Sequence, residues 1–311
     1  MNADRDLVII GGGAAGLTAA QYGARANLKV LLIEEMATGG QALIIDDLEN
    51  YPGFPEPIKG FQFVERMEKQ TIRFGTEIKL STVTGISRTN NVFTVETPEG
   101  NYTTYTVILA TGAKHRHLEI PGEKELAGRG VSYCATCDGP FFKNRRILVA
   151  GGGDAACDEA MFLSKLTDKL TMVHRRDRLR AQKALAERVE RNKNIEIRFS
   201  TKVIEIKGTG KVESVVLEKA DTSERTEVPM DAVFIFVGSI PQAALALDAV
   251  KDEGGYLVTN DRMETSVPGL YAVGDVRATP FRQLVVAASD GAIAAHCASQ
   301  YIDILRGEAY I

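Results

Sequence analysis

Residues 134–139 read Cys-Ala-Thr-Cys-Asp-Gly. Two thiols with two residues between them can close a small disulfide ring, and this spacing commonly lowers the pKa of one thiol. The same spacing is half of a tetrahedral zinc site, which needs two more ligands at comparable spacing. Cys157 and Cys297 stand alone, and the nearest histidines, His115 and His117, lie upstream. The favoured reading is a dithiol, Cys134 and Cys137, that cycles between reduced and oxidised forms, with no metal. Asp138 follows directly. Reducing a disulfide generates thiolates, and a carboxylic acid beside them can supply a proton. A turn or cap residue is the other reading of Asp138. Four cysteines in 311 residues make no disulfide framework. In a reducing compartment, a close pair points to catalysis rather than to a staple. Cys157 and Cys297 read as small buried residues.

A dithiol needs a source of electrons, and two glycine-rich turns offer binding sites for one. The first is Gly11-Gly12-Gly13-Ala14-Ala15-Gly16, and the second is Gly151-Gly152-Gly153-Asp154-Ala155-Ala156. In such a turn the first glycine permits a tight bend. The second lets backbone N–H groups approach a pyrophosphate, and the third lets a helix pack close to its strand. The residues beyond each turn differ in charge. Glu34 lies 18 residues past Gly16, followed by Glu35. A carboxylate there accepts hydrogen bonds from ribose hydroxyls and repels a 2′-phosphate, so the first unit suits FAD or NAD. The corresponding place in the second unit holds His174-Arg175-Arg176, with Arg178 and Arg180 behind. Guanidinium groups attract a 2′-phosphate, so the second unit suits NADP.

These turns need elements to hold them. An apolar run at 6–10, the first turn, an Ala-rich helical stretch to about 27 and a run at 29–33 make a strand–helix–strand unit. The plan recurs with a run at 146–150, a helix to about 165 and a run at 170–173. Further strands are expected at 92–96, 105–109, 196–199, 212–217 and 232–237, and a last helix from about 289 to 305. The runs ending at Ala110-Thr111-Gly112 and at Gly274-Asp275 read as strand ends that meet a ligand at the carboxyl edge of a parallel sheet. The fold class is therefore α/β, with two Rossmann-like dinucleotide-binding domains.

Apolar residues make up 44% of the chain and charged residues 25%, which suits a well-buried protein of two domains. The formal net charge of −4 gives no reason to expect nucleic acid or an anionic membrane as partner. No stretch approaches a membrane span, and the first residues lack a signal-peptide plan, so a cytoplasmic location is expected.

Taken in order, eight segments resemble those of the bacterial low-molecular-weight thioredoxin reductases, a class of the pyridine nucleotide-disulfide oxidoreductases. They are Gly11–Gly16, Gly39-Gly40-Gln41, the segment at 49–53, Ala110-Thr111-Gly112, Cys134–Gly139, the segment at 151–160, the segment at 174–181 and the segment at 274–284. The resemblance implies an NADPH-dependent enzyme that passes electrons through FAD and the Cys134–Cys137 disulfide to thioredoxin or a thioredoxin-like protein. It implies a discontinuous FAD domain, 1–113 with 244–311, and an inserted NADPH domain, 114–243, that carries the cysteines. A homodimer is expected. The FAD residues would be Gly11, Gly12, Gly13, Ala14, Ala15, Gly16, Glu34, Glu35, Gly39, Gly40, Gln41, Ala42 and Asn50. Ala110, Thr111, Gly112, Gly274, Asp275, Arg282, Gln283 and Leu284 would join them. NADPH would meet Gly151, Gly153, Asp154, Ala155, Ala156, Asp158, His174, Arg175, Arg176, Arg180, Val237 and Gly238. Cys137 would face the flavin, Cys134 would attack the partner, and Asp138 would be the acid. Because the disulfide must meet both flavin and a bulky partner, a swivel of the inserted domain is expected, hinged near 112–114 and 240–244.

The chain departs from the family pattern in three places. Ala155-Ala156-Cys157-Asp158-Glu159 replaces a run that usually has Ser or Thr, Ala, a bulky apolar residue and Glu-Glu. Leu179 replaces an aromatic, and Ser239-Ile240-Pro241-Gln242 replaces a Pro-Asn ending. None of them removes the arginines expected at the 2′-phosphate, and together they bear on the strength of NADPH binding and its margin over NADH.

Overall fold

The computed structural model describes residues 3–45 and 48–308, and the side chain of Cys137 lies outside the described residues. The chain forms two compact units, one of Met1–Lys114 with Ile240–Ile311 and one of His115–Ser239. In chain order the first unit opens with β1 (Arg5–Ile10), α1 (Ala14–Arg25), β2 (Val30–Glu34), α2 (Gly60–Arg73), β3 (Glu77–Leu80), β4 (Gly85–Thr89), β5 (Val92–Thr97) and β6 (Gly100–Leu109). The chain leaves it along β7 (Ala113–His115). The second unit contains β8 (Val131–Ser132), α3 (Ala135–Asp138), β9 (Ile147–Gly151), α4 (Asp154–Leu163), β10 (Leu170–Val173), α5 (Lys183–Glu190), β11 (Ile195–Arg198), β12 (Thr201–Lys207), β13 (Ser214–Lys219), β14 (Arg225–Pro229) and β15 (Ala232–Phe236). After β16 (Ser239–Pro241), β17 (Leu270–Ala272) and α6 (Leu284–Arg306) complete the first unit.

In the first unit β3, β2, β1 and β6 lie side by side and parallel, and β17 extends the sheet parallel to the end of β6. Strand β6 is long enough to serve two ladders. Its first half pairs antiparallel with β5, and its second half runs beside β1. Alternate residues of β1 explain why it is apolar from Leu7 to its end. Leu7 and Ile9 pack on one face with α1 and α6, and Val8 and Ile10 pack on the other against Phe93, Val95 and Leu257. A parallel strand covered on both faces must be apolar at every position. Each such aliphatic side chain, wholly removed from water, contributes about 1.5–3 kcal/mol. Helix α6 lies against α1 at Gly291, where a Cβ would stand 2.2 Å from the Ala15 carbonyl oxygen.

The second unit repeats this design. Strands β11, β10, β9, β15 and β8 form a wholly parallel sheet. Ile147 and Val149 face α4 and α5, while Leu148 and Ala150 face the antiparallel sheet of β12, β13 and β14. Arg146 and Asp231 tie β9 to β15 at their starts. The guanidinium grips both carboxylate oxygens (2.9 and 3.0 Å), and the Arg146 N–H donates to the same carboxylate. The side-chain hydrogen bonds from Arg146 hold the Asp231 carboxyl down at about 2. A depressed folded pKa means that its stabilisation is present above the unfolded value and lost as pH falls from about 4 through about 2. Asp231→Asn is therefore expected to cost about 1–2 kcal/mol near neutral pH and almost nothing at pH ~2, as read from urea unfolding at both pH values.

Several elements differ from their sequence expectations. Strand β6 begins at Gly100, not 105, because its polar, Thr-rich start is held by the hairpin to β5. Helix α6 begins at Leu284, not 289. Val285 and Val286 are β-branched and weak helix formers. Tertiary contact overrides that preference, with the N-cap residue Gln283 held by Asn50. Strand β13 begins at Ser214, not 212, because the Val212 N–H is taken by the Arg129 carbonyl. Helix α2 has no counterpart in the sequence reading. It buries Phe63 and Val64 behind a charged outer face.

Candidate functional site

In the first unit, the expected cofactor residues gather at the carboxyl end of β1. Gly11 turns the chain with φ +104°, and a Cβ there would stand 2.4 Å from the Ala110 carbonyl oxygen. A Cβ on Gly16 would stand 1.9 Å from the Gly11 carbonyl oxygen, so α1 sits tightly on its turn. No side chain caps α1, which leaves the first-turn N–H groups of Ala14, Ala15 and Gly16 for an anion. Space above Gly13 is open, with no described atom within 4 Å of a Cβ built there. The Gly12 N–H donates to Glu34 Oε2 (2.6 Å) and the Met36 N–H to Oε1 (3.2 Å), which fastens the end of β2 to the turn. Glu35 receives the Thr82 hydroxyl at 3.5 Å.

Three other segments close on this turn. The Gly39 N–H donates to the Gly12 carbonyl (2.7 Å), so Gly40, Gln41 and the buried Ala42 follow alongside Gly13. The Gln41 amide donates to the Ala113 carbonyl (2.6 Å), and the Thr111 hydroxyl donates to the Gln242 carbonyl (2.7 Å). Space above Gly112 is open. Asn50 and Gln283, 233 residues apart in sequence, share a 2.9 Å hydrogen bond. Gly274 approaches α1 closely enough that a Cβ would meet the Ala15 methyl at 3.2 Å. Burial pushes the neighbouring Asp275 carboxyl above the usual range, against attraction from Arg282. Arg282 lies 4.2 Å over the Tyr256 ring, and Leu284 is half-buried against the core.

Sequence reading missed the support beneath Gly274. Asp290 is buried on α6, accepts the Gly274 N–H (3.1 Å) and pairs with Arg277 (3.2 Å). Arg277 in turn donates to the Thr259 hydroxyl at 2.8 Å. One sequence signal pointed there: an acidic residue alone in an Ala-rich apolar run. An uncapped helix over an open glycine turn, a ribose-length carboxylate and a buried acid at a second strand end fit a dinucleotide such as FAD.

In the second unit the turn after β9 is built likewise. Ala156 stands at the third glycine position, and its methyl occupies space that a Cβ on Gly151 would need, at 2.6 Å. The smallest side chain thus fits because Gly151 has none. Gly153 faces open space, and no side chain caps α4. Ala155 and Asp158 are exposed on α4. His174 lies under the turn, where a Cβ on Gly152 would stand 2.3 Å from its Nδ1. Burial, followed by Arg176, Arg175 and Arg180, holds the His174 pKa below its ordinary value, which favours the neutral ring. Its Nε2 is buried without a hydrogen-bond partner among the described residues. Arg175, Arg176, Arg178 and Arg180 are exposed and make no ion pair among the described residues. Val237 is half-buried at the end of β15, and the Gly238 carbonyl accepts the Arg116 N–H (2.9 Å). Four exposed guanidiniums on a segment joined to an uncapped glycine turn fit a phosphorylated nucleotide.

Cys134 stands between β8 and α3 and is disulfide-bonded. Its N–H donates to Ser132 Oγ (3.1 Å), and the Thr136 hydroxyl donates to its sulfur (3.4 Å). Cys137 lies within α3. The Asp138 N–H donates to the Cys134 carbonyl (3.2 Å). Cys134, Asp138, Tyr133 and His115 line one cavity of about 390 Å³. Cys157 is wholly buried, and burial pushes its thiol up to about 12, which leaves it inert at neutral pH.

Tyr133 is braced from behind. Its hydroxyl donates to Glu123 Oε1 (2.6 Å) and meets His117 Nδ1 (2.7 Å). The buried Glu123 carboxylate also accepts the N–H groups of Leu118 and Glu119. Burial raises the Glu123 pKa, but the hydrogen bonds from Tyr133 and the backbone outweigh it and leave the carboxyl below its ordinary value. This brace fixes the residue before Cys134.

A family model for pyridine nucleotide-disulphide oxidoreductases matches residues 5–291, and the chain belongs to that family. It is 56% identical over 306 residues to a thioredoxin reductase of Treponema pallidum (strain Nichols), across 98% of this chain and 100% of that protein. A thioredoxin reductase of Peptoclostridium litorale is 44% identical, across 97% and 98%. Among solved structures, Lactococcus lactis thioredoxin reductase superposes with a TM-score of 0.93 at 44% identity, covering 96% of this chain and 99% of that one.

Proposed function

We propose that this chain is an NADPH-dependent thioredoxin-disulfide reductase. The observation that carries the reading is the disulfide-bonded Cys134 set just before a dinucleotide-binding unit whose second strand ends in arginines that make no ion pair among the described residues. The relatives named thioredoxin reductase, matched over almost their whole length, support the same reading.

Gly11–Gly16, Glu34, Gly39–Ala42, Asn50, Ala110–Gly112, Gly274–Asp275 and Arg282–Leu284 would hold FAD, with Glu35 at the ribose end. Bound FAD would supply two-electron transfer between a nicotinamide and a disulfide. Gly151, Gly153, Ala155, Ala156, Asp158, Val237 and Gly238 would line the NADPH site, with Arg175, Arg176 and Arg180 on the 2′-phosphate and His174 supporting the turn. Overall, two electrons and one proton come from NADPH, and the disulfide gains a second proton, for which Asp138 is the donor beside the pair. Cys134 then gives up its proton and attacks a sulfur of the partner's disulfide as the thiolate; a mixed disulfide forms, and the partner sulfur that leaves takes up a proton. Cys137 attacks Cys134 in turn, which restores the ring and frees the reduced partner.

The test is NADPH-coupled reduction of the host's own thioredoxin-like proteins, with NADH in parallel. Turnover that requires a thioredoxin-like protein and prefers NADPH supports the reading; turnover of neither cofactor sinks it. Arg175→Ala with Arg176→Ala is expected to raise KM for NADPH by about 30- to 100-fold, from two charge-assisted phosphate contacts, while KM for NADH changes little.

We further propose a cytoplasmic homodimer. No helix among the described residues is long and apolar enough to cross a membrane. Tyr22 and Phe74, both beside Arg25, are exposed, as are Phe61 and Ile72 of α2, and a second copy would cover exposed apolar side chains of this kind. Sedimentation velocity reads the assembly directly.

A further inference from the structure

The segment from His174 to Gln182 carries four arginines, yet between β10 and α5 it has no helix or strand of its own. It is fastened at both ends. The carbonyls of His174 and Arg176 accept the N–H groups of Thr201 (3.0 Å) and Ser200 (2.9 Å). Leu179, in place of the family's aromatic, is buried in the core below. At the far end the Arg180 N–H donates to the Gly152 carbonyl (2.6 Å). The Gln182 N–H donates to Asp154 Oδ1 (2.7 Å), and its side-chain amide reaches Oδ2 (3.4 Å).

Asp154 is the first residue of α4, beside the open Gly153. A carboxylate turned into that opening would oppose a phosphate that the helix and the arginines attract. Both of its oxygens are instead engaged by Gln182. The glycine turn and the arginine segment are thus tied at two points, and one of the two depends on a side chain that can be changed.

We propose that Asp154 is a positioning residue that sets cofactor specificity: by fastening Gln182 to the second glycine turn, it holds Arg175, Arg176 and Arg180 where one 2′-phosphate meets all three. The inference rests on the NADPH reading of the second unit. Asp154, which the sequence placed among the residues that meet NADPH, has both carboxylate oxygens taken by Gln182, so it acts through Gln182 rather than by touching the nucleotide. A tied segment pays its ordering cost during folding, whereas a loose one pays it on binding, and only for the ligand that the arginines touch. Loss of the tie therefore weakens NADPH and spares NADH.

The experiment compares the full-length enzyme with its Asp154→Ala and Asp154→Asn variants. Steady-state constants are measured with NADPH and NADH, and binding of 2′,5′-ADP and 5′-AMP is followed by calorimetric titration. The loss of about one hydrogen bond predicts that Asp154→Ala raises KM for NADPH and Kd for 2′,5′-ADP about fivefold, with kcat and both values for the unphosphorylated ligands within about twofold. Asp154→Asn keeps an oxygen that accepts the Gln182 N–H, and it is expected to stay close to the native enzyme. Equal weakening toward phosphorylated and unphosphorylated ligands overturns the proposal, because it reports damage to the turn. Identical behaviour of the two variants also overturns it, because charge rather than the tie would then be responsible. If the native enzyme binds 2′,5′-ADP no better than 5′-AMP, the NADPH reading itself falls. A native preference that survives Asp154→Ala unchanged removes only the role of Asp154.

Discussion

Cys134→Ser is expected to lower partner-linked turnover by at least about 10³-fold, because a hydroxyl cannot replace the attacking thiolate. Reduction of the bound flavin by NADPH is expected to persist, because no residue of either nucleotide site is altered. Stopped-flow bleaching of the flavin band, run beside the thioredoxin-coupled assay, separates the two steps. A variant that still reduces the partner at more than a few per cent of the native rate would show that Cys134 is not the outward nucleophile. Cys134 lines the cavity with Asp138, its sulfur accepts the Thr136 hydroxyl, and Tyr133 directly before it is locked to the buried Glu123.

Asp290→Ala is expected to destabilise the first unit by about 3–5 kcal/mol, the usual cost of leaving one member of a buried ion pair alone. Three losses combine. Arg277 keeps, among the described residues, the Thr259 hydroxyl alone, the Gly274 N–H loses its acceptor, and the turn carrying Asp275 loses its support. Apparent FAD affinity should fall as well, measured by flavin release on dilution. Asp290→Asn retains an acceptor for Gly274 and should cost clearly less. The pH dependence has a definite sign. Burial, opposed by Arg277, raises the Asp290 pKa above its ordinary value. A carboxyl raised on folding contributes stability that is present below its unfolded pKa and lost as pH rises through the folded one. The advantage of the native enzyme over Asp290→Asn should therefore be largest in acid and shrink as pH rises. Chemical denaturation across that range decides it, and the opposite trend would mean that the pair with Arg277 outweighs burial.

The parts of the site with a local cause were legible along the chain. Gly11 and Gly16 betray a tight strand–helix turn because no other residue fits where a Cβ would stand 2.4 or 1.9 Å from a carbonyl oxygen. The apolar runs of β1 and β9 announce parallel strands because both of their faces are covered. The charge difference between Glu34 and the arginines after β10 needs no coordinates to suggest different ribose groups. Helix α2 and the start of α6 were not legible. Their local preferences are weak, and packing or a cap supplied from afar decides them.

The sequence by itself therefore marked out Cys134, Cys137 and Asp138 as a candidate redox centre, and two glycine turns as candidate nucleotide sites, because each depends on residues within a few positions of one another. Only the tertiary structure decided how those parts are held. It set Glu123 behind Tyr133, Asp290 under Gly274 and Asp154 across to Gln182. These contacts join residues 10 to 28 positions apart. No periodicity or motif links such positions, since their pairing is created by the folding of the chain that separates them.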